Sequence, residues 1–147
     1  MAFLVLLFSC EPRPNLYPYL KNPTVEFGVS RDGIVAYQDV YPKTDAFPDS
    51  IPVLLVGKPA AEPVIVSYAI TTPLSASASA TQPANYSILG SRNQLIIPEG
   101  RNVGYIRLIA NKITVSRSFI SFDLTLLSAD KATVNACCTK RRYYINK

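Results

Sequence analysis

The chain has 147 residues, 48% hydrophobic and 17% charged, so it is long enough for one domain with one buried core and too apolar to be disordered. Its 15 Lys and Arg against 10 Asp and Glu give a net charge of +5, yet the only basic run is Lys140-Arg141-Arg142; without a focused patch, no nucleic-acid partner is expected. Histidine is absent, which excludes histidine-based triads and histidine-ligated metal sites, and twelve prolines argue against long helices and for an all-β chain.

The first element is an apolar run, Ala2 to Phe8, followed by Ser9 and Cys10. It is too short to span a bilayer, which needs about 20 apolar residues. Leu7-Phe8-Ser9-Cys10 resembles a bacterial lipobox, in which cleavage before the cysteine leaves a thiol that carries diacylglycerol. Residues 1–9 then read as a lipoprotein signal peptide, shortened or mis-started because no Lys or Arg precedes the apolar stretch, and Cys10 is the expected lipidation site. The competing reading makes Ala2 to Phe8 a core strand and Cys10 a buried thiol. Glu11-Pro12-Arg13-Pro14-Asn15-Leu16-Tyr17-Pro18-Tyr19 holds three prolines in nine residues, which suits an extended tether over 10–23. Tyr17 and Tyr19 are ligand-binding candidates there, or pack the tether against the domain that follows.

Residues 24–147 read as short strands between turns. Alternation and β-branched content predict strands near Thr24 to Val29, Ile34 to Val40, Ile51 to Val56, Val64 to Ile70 and Asn85 to Leu89. Five more follow near Gln94 to Ile97, Asn102 to Ile109, Ser118 to Leu127, Ala132 to Ala136 and Arg142 to Asn146. The clearest pattern is Ile120, Phe122, Leu124 and Leu126 alternating with Ser121, Asp123 and Thr125, one face core and the other wet. In the strand before it, Ile106 and Leu108 point one way while Val103, Tyr105 and Ile109 share the other with Arg107, which suggests that both faces are covered. Pro98-Glu99-Gly100 carries hairpin turn chemistry, so the flanking strands are expected to pair antiparallel.

Between strands, Ser75-Ala76-Ser77-Ala78-Ser79-Ala80 buries too little area to pin a register and is expected to be a mobile loop. The connection from Tyr41 to Ser50 carries Tyr41 and Phe47, candidates for ligand binding at the end of a sandwich, or caps of the core.

Pro83-Ala84-Asn85-Tyr86-Ser87-Ile88-Leu89, then Leu95-Ile96-Ile97-Pro98-Glu99-Gly100, then Gly104-Tyr105-Ile106-Arg107-Leu108 resemble a recurring element of Bacteroidota surface lipoproteins: a tyrosine-containing strand, an apolar strand, a Pro-x-Gly turn and a returning strand. The same element occurs in Calx-beta-like sandwiches. Ile51 to Gly57 before it, with Phe122 to Leu126 and Tyr143 to Lys147 after it, extend the likeness over roughly Val25 to Lys147. The resemblance implies an immunoglobulin-like antiparallel β-sandwich, the kind of domain of uncharacterised function found ahead of glycan-binding or glycosidase modules. It further implies an outer-membrane or cell-surface location, anchorage through the lipid on Cys10, and a glycan or an outer-membrane protein as partner. Calcium-binding Calx-beta domains use clustered carboxylates; acids are sparse here and Asn85 stands where related sequences often have Asp, so no calcium site is expected.

No catalytic, metal or cofactor residue is expected. Ser128-Ala129-Asp130-Lys131 matches Ser-x-x-Lys by chance and lacks a Lys-Thr-Gly partner. Asp45 and Asp49 lie in a proline-rich loop without a supporting constellation, and Gly57-Lys58 lacks the remainder of a phosphate loop. Cys137 and Cys138, adjacent on an expected strand, would face opposite sides, one core and one incidental. The expected role is a non-catalytic accessory or binding module of a surface glycan-capture apparatus; the alternative is an adhesin- or fimbrial-type subunit acting through a sheet edge.

Overall fold

The computed structural model describes residues 22–28, 38–40, 48–72, 79–111 and 119–146, with backbone alone for 38–40 and 146. Ten strands lie within it: β1 (Thr24–Phe27), β2 (Gln38–Val40), β3 (Asp49–Val56), β4 (Val64–Thr71), β5 (Tyr86–Leu89), β6 (Gln94–Ile97), β7 (Val103–Ala110), β8 (Phe119–Ala129), β9 (Thr133–Val134) and β10 (Lys140–Asn146). One sheet runs β5-β7-β3-β1-β9 and the other β2-β10-β8-β4-β6. Most neighbours are antiparallel, but β1 pairs β9, and β2 pairs β10, in parallel. Among the described residues, the first two strands thus join the last two, one pair in each sheet.

Period-two alternation fixes which side of each strand faces inward. In β3, Ile51, Val53 and Leu55 are buried while Pro52, Leu54 and Val56 are only partly covered; in β8, Ile120, Phe122, Leu124 and Leu126 are buried. Burial of each such side chain contributes about 1.5–3 kcal/mol. Three aromatic rings tie the two layers together. Tyr86 of the first sheet stacks on Phe122 of the second at 4.3 Å between centroids, and Phe122 stacks on Tyr143 at 5.6 Å. On the opposite face of the same register, Asp123 receives two hydrogen bonds from Arg142, at 2.6 and 2.9 Å. Arg141 lies 5.8 Å from the ring centroid of Tyr143. The basic run at Lys140 to Arg142 is therefore built into a strand.

Five sequence expectations are corrected. The strands flanking Pro98-Glu99-Gly100 do not pair with each other: β6 pairs β4 in one sheet, whereas β7 pairs β3 and β5 in the other. The turn is a corner between layers, because the apolar sides of β6 and β7 meet face to face across the core. Ser121 is buried at 4% exposure, not wet. β4 ends opposite Asp123, leaving β8 open on that side, and Ser79 and Ala80 fill the gap, with the Ala80 N–H donating to the Ser121 carbonyl at 2.8 Å. That end of the Ser-Ala segment is ordered by pairing, while 75–78 lie outside the described residues. The face of β7 carrying Tyr105 and Arg107 is open, not covered. Cys137 and Cys138 occupy a 3-10 turn, Ala136–Cys138, where neither joins the core.

Burial raises the phenols of the core tyrosines. Tyr68 is held up to about 12, chiefly by burial with a smaller contribution from Tyr86; Tyr86 and Tyr143 are raised by the same cause. The folded state thus retains protons that the unfolded chain releases from about pH 10. Stability from these groups is complete below about pH 10 and is lost as pH climbs through that value toward the folded pKa. The expected result is a thermal midpoint insensitive to alkali up to about pH 10 that falls steeply above it, with phenolate absorbance from the buried tyrosines appearing together with unfolding. Titration of every tyrosine near its ordinary pKa in a protein that stays folded would contradict this.

Candidate functional site

The site lies at the corner where the chain passes from β6 to β7. Gly100 has φ +71°, a conformation that favours glycine, and closes the turn with the Arg101 N–H donating to the Pro98 carbonyl at 3.1 Å. The Gly100 N–H donates to the Ala60 carbonyl at 2.8 Å. Asn102 bonds the β3–β4 loop, its carboxamide donating to the carbonyls of Leu55 and Gly57 at 3.1 and 3.2 Å. The corner is therefore fixed on the end of β3 and on the loop that carries the chain from β3 to β4, which crosses between the same two sheets.

Gly104 sets the close approach of the two strands. A Cβ there would meet Leu95 Cδ1 at 2.6 Å and the Ile96 carbonyl oxygen at 2.9 Å, so β7 passes under β6 only with glycine at this position. β5 covers β7 from Arg107 to Ala110 and no further, while β6 is the edge strand of its sheet. Between the free edge of β6 and the uncovered start of β7 lies an open groove of about 420 Å³. Ile96, Pro98 and Arg101 line one side; Val103, Gly104, Tyr105 and Arg107 line the other.

Tyr105 is 48% exposed and Ile96 59% exposed. Ile96 sits opposite Ile65 in the register, which is also exposed, and the two make an apolar strip on the outer face beside the groove. Arg101 and Arg107 are exposed, and neither makes an ion pair among the described residues. The groove thus combines an accessible aromatic face with two guanidinium groups available for an anion.

A second cleft, of about 330 Å³, opens between the β3–β4 loop and the β8–β9 turn, with Leu55, Pro59 and Val64 among its walls. Its charged groups answer each other: Lys131 donates to the Glu62 carboxylate and to the Pro63 carbonyl. That hydrogen bond and the neighbouring charge lower the Glu62 pKa and raise that of Lys131. Beside it, Asp130 accepts from the Ile65 N–H at 2.9 Å. The Ser128-to-Lys131 sequence therefore holds a turn. Among the described residues no three His, Cys, Asp or Glu side chains converge as a metal ion would require, and no helix is long and apolar enough to cross a membrane.

The residues singled out from sequence, Cys10, Tyr17, Tyr19, Tyr41 and Phe47, all lie outside the described residues, as do residues 1–9 and most of the tether. The groove was not among those expectations. Its signal was the spacing Tyr105-x-Arg107, which puts an aromatic and a cation on one face of a strand whose other face is core.

No protein-family model and no curated protein matches the sequence. Solved structures do match in fold. The apo form of the Calx CBD1 domain superposes with a TM-score of 0.60 at 13% identity, over 86% of this chain and 97% of that domain. A two-domain protein of unknown function from Bacteroides fragilis NCTC 9343 has a TM-score of 0.57 at 12% identity, over 85% of this chain and 45% of that one. A protein of unknown function from Bacteroides ovatus has the same TM-score and identity, over 85% of this chain and 52% of its own length. The chain spans about half the length of these two Bacteroides proteins. The fold is a Calx-beta-like, immunoglobulin-like β-sandwich, and the solved structures it matches are of Calx domains and of proteins of unknown function.

Proposed function

We propose that the protein is a non-catalytic binding module of the bacterial cell envelope, anchored by lipid on Cys10, held off the outer membrane by the tether over 10–23, and serving a surface glycan-capture apparatus. The lipobox-like Leu7-Phe8-Ser9-Cys10 and the proline-rich stretch support the anchor, and the fold it shares with two Bacteroides proteins supports the setting. The observation that carries the binding reading is the open groove with Tyr105, Arg101 and Arg107. An aromatic face packs against the apolar face of a sugar ring, and a guanidinium pairs in two-pronged fashion with carboxylate or sulfate. The ligand class that fits is an anionic glycan, a polyuronate or a sulfated polysaccharide.

One observation favours a second reading. β6 is a proline-free edge strand with Ile96 exposed, which is what strand addition by a protein partner needs. In that reading the protein is a structural subunit of an adhesin-type assembly.

Affinity electrophoresis of the Cys10→Ala full-length chain through neutral and acidic polysaccharides separates the two. Retardation by an acidic glycan is expected, with affinity falling about tenfold or more in Arg101→Glu/Arg107→Glu and in Tyr105→Ala. No retardation in any glycan, together with co-purification of an outer-membrane protein that Ile96→Lys abolishes, would replace the glycan reading with the edge reading. For the anchor, labelled palmitate is expected in the membrane fraction with the native chain and not with Cys10→Ala; an unlabelled, unprocessed chain would remove the envelope assignment.

A further inference from the structure

The turn between β9 and β10 holds a pair of thiols that the binding reading does not use. Cys137 and Cys138 are consecutive in the 3-10 turn, and their Sγ atoms are 2.8 Å apart. Both are free thiols, Cys137 exposed and Cys138 partly so. The turn is braced from one side by Asn135, whose carboxamide oxygen accepts from the Cys137 N–H at 3.4 Å and from its Sγ–H at 3.2 Å. Asn135 is itself held in place because its amide nitrogen donates to the Glu26 carboxylate on β1, and its backbone N–H donates to the Val25 carbonyl at 2.9 Å. On an extended strand, adjacent side chains point to opposite faces; the helical turn brings these two to the same side.

We propose that Cys137 and Cys138 form a reversible dithiol–disulfide couple, a covalent modification site whose co-reactant is a low-molecular-weight or enzyme-borne disulfide. Closing the pair to a bonded separation of about 2.05 Å needs only a small movement of the sulfurs. The exposed Cys137 sulfur, as thiolate, attacks the disulfide RS–SR, forming a mixed disulfide and releasing RS⁻. Cys138, deprotonated in turn, attacks the Cys137 sulfur and displaces the second RS⁻. Two thiols thus lose two protons and two electrons, one S–S bond forms within the protein, and RS–SR is reduced to two RSH. The order follows from position: the Cys138 thiol, pushed up to about 11 by its hydrogen bond with Cys137, by burial and by the charges of Cys137 and Glu26, is the poorer first nucleophile. Adjacent Cα atoms lie about 3.8 Å apart, short of the ordinary disulfide span of roughly 4.4–6.8 Å, so the ring is strained and a dithiol reagent reopens it.

The test uses the full-length chain carrying Cys10→Ser, treated with oxidised glutathione, trapped with iodoacetamide and weighed intact. The expected product is a monomer lighter by about 2 Da, two hydrogens, with neither Cys137 nor Cys138 alkylated and the original mass restored by dithiothreitol. Cys137→Ser and Cys138→Ser are each expected to stop at an alkylated thiol or a glutathione adduct. A Cys10→Ser protein that remains fully alkylated, or that accumulates only glutathione adducts or linked dimers, would overturn the proposal. So would equal ring closure in urea and in buffer, because the turn would then contribute nothing.

Discussion

The cross-layer stack of Tyr86, Phe122 and Tyr143 is the constraint on which the rest of the structure depends. A single register between β8 and β10 places Phe122 opposite Tyr143 facing inward and Asp123 opposite Arg142 facing outward. A one-residue slip of β10 against β8 would turn Tyr143 to solvent and carry Arg142 inward, away from Asp123, so the two features specify the register together. The third ring, Tyr86, reaches the stack from the opposite sheet. Its strand, β5, is held against the last four residues of β7 and leaves the first four open.

The groove follows from that placement. β5 ends at Leu89, where Gly90 with φ +87° turns the chain, and β6 belongs to the other layer, so an uncovered stretch of β7 faces the free edge of β6. Gly104 permits the approach, and Asn102 with Gly100 fastens the corner to the β3–β4 loop. Tyr105 and Arg107 are then presented on a strand whose other face is anchored by Ile106 and Leu108. Side chains on a packed strand hold a more defined geometry than side chains on a loop, which suits recognition of an extended ligand. The second cleft lacks this character because Glu62 and Lys131 already neutralise each other.

Much of the strand layout was legible because alternation is local. β8 shows it most clearly, and the bounds of β6 agree with the sequence reading to the residue. Pairing was not legible, since it depends on residues far apart in the chain. Pro98-Glu99-Gly100 reverses the chain equally well as a hairpin or as a corner, and only the shared apolar sides of β6 and β7 decide for the corner. Ser121 looks wet in sequence and is buried because the arriving Ala80 takes its carbonyl. Cys137 and Cys138 fit a strand in sequence, but Asn135 caps a tight turn there. The groove is not legible in sequence for a related reason: Tyr105 and Arg107 form it only because β5 stops opposite Arg107.

The central claim is that this sandwich binds an anionic glycan along the β6–β7 corner, and amide chemical-shift mapping tests it most directly. Titrating the isotopically labelled Cys10→Ala chain with an acidic oligosaccharide should shift the amides between Ile96 and Arg107 and leave those lining the cleft at Glu62 and Lys131 unmoved. Shifts confined to the cleft, or to Tyr41 through Phe47, or none at saturating oligosaccharide, would contradict the account.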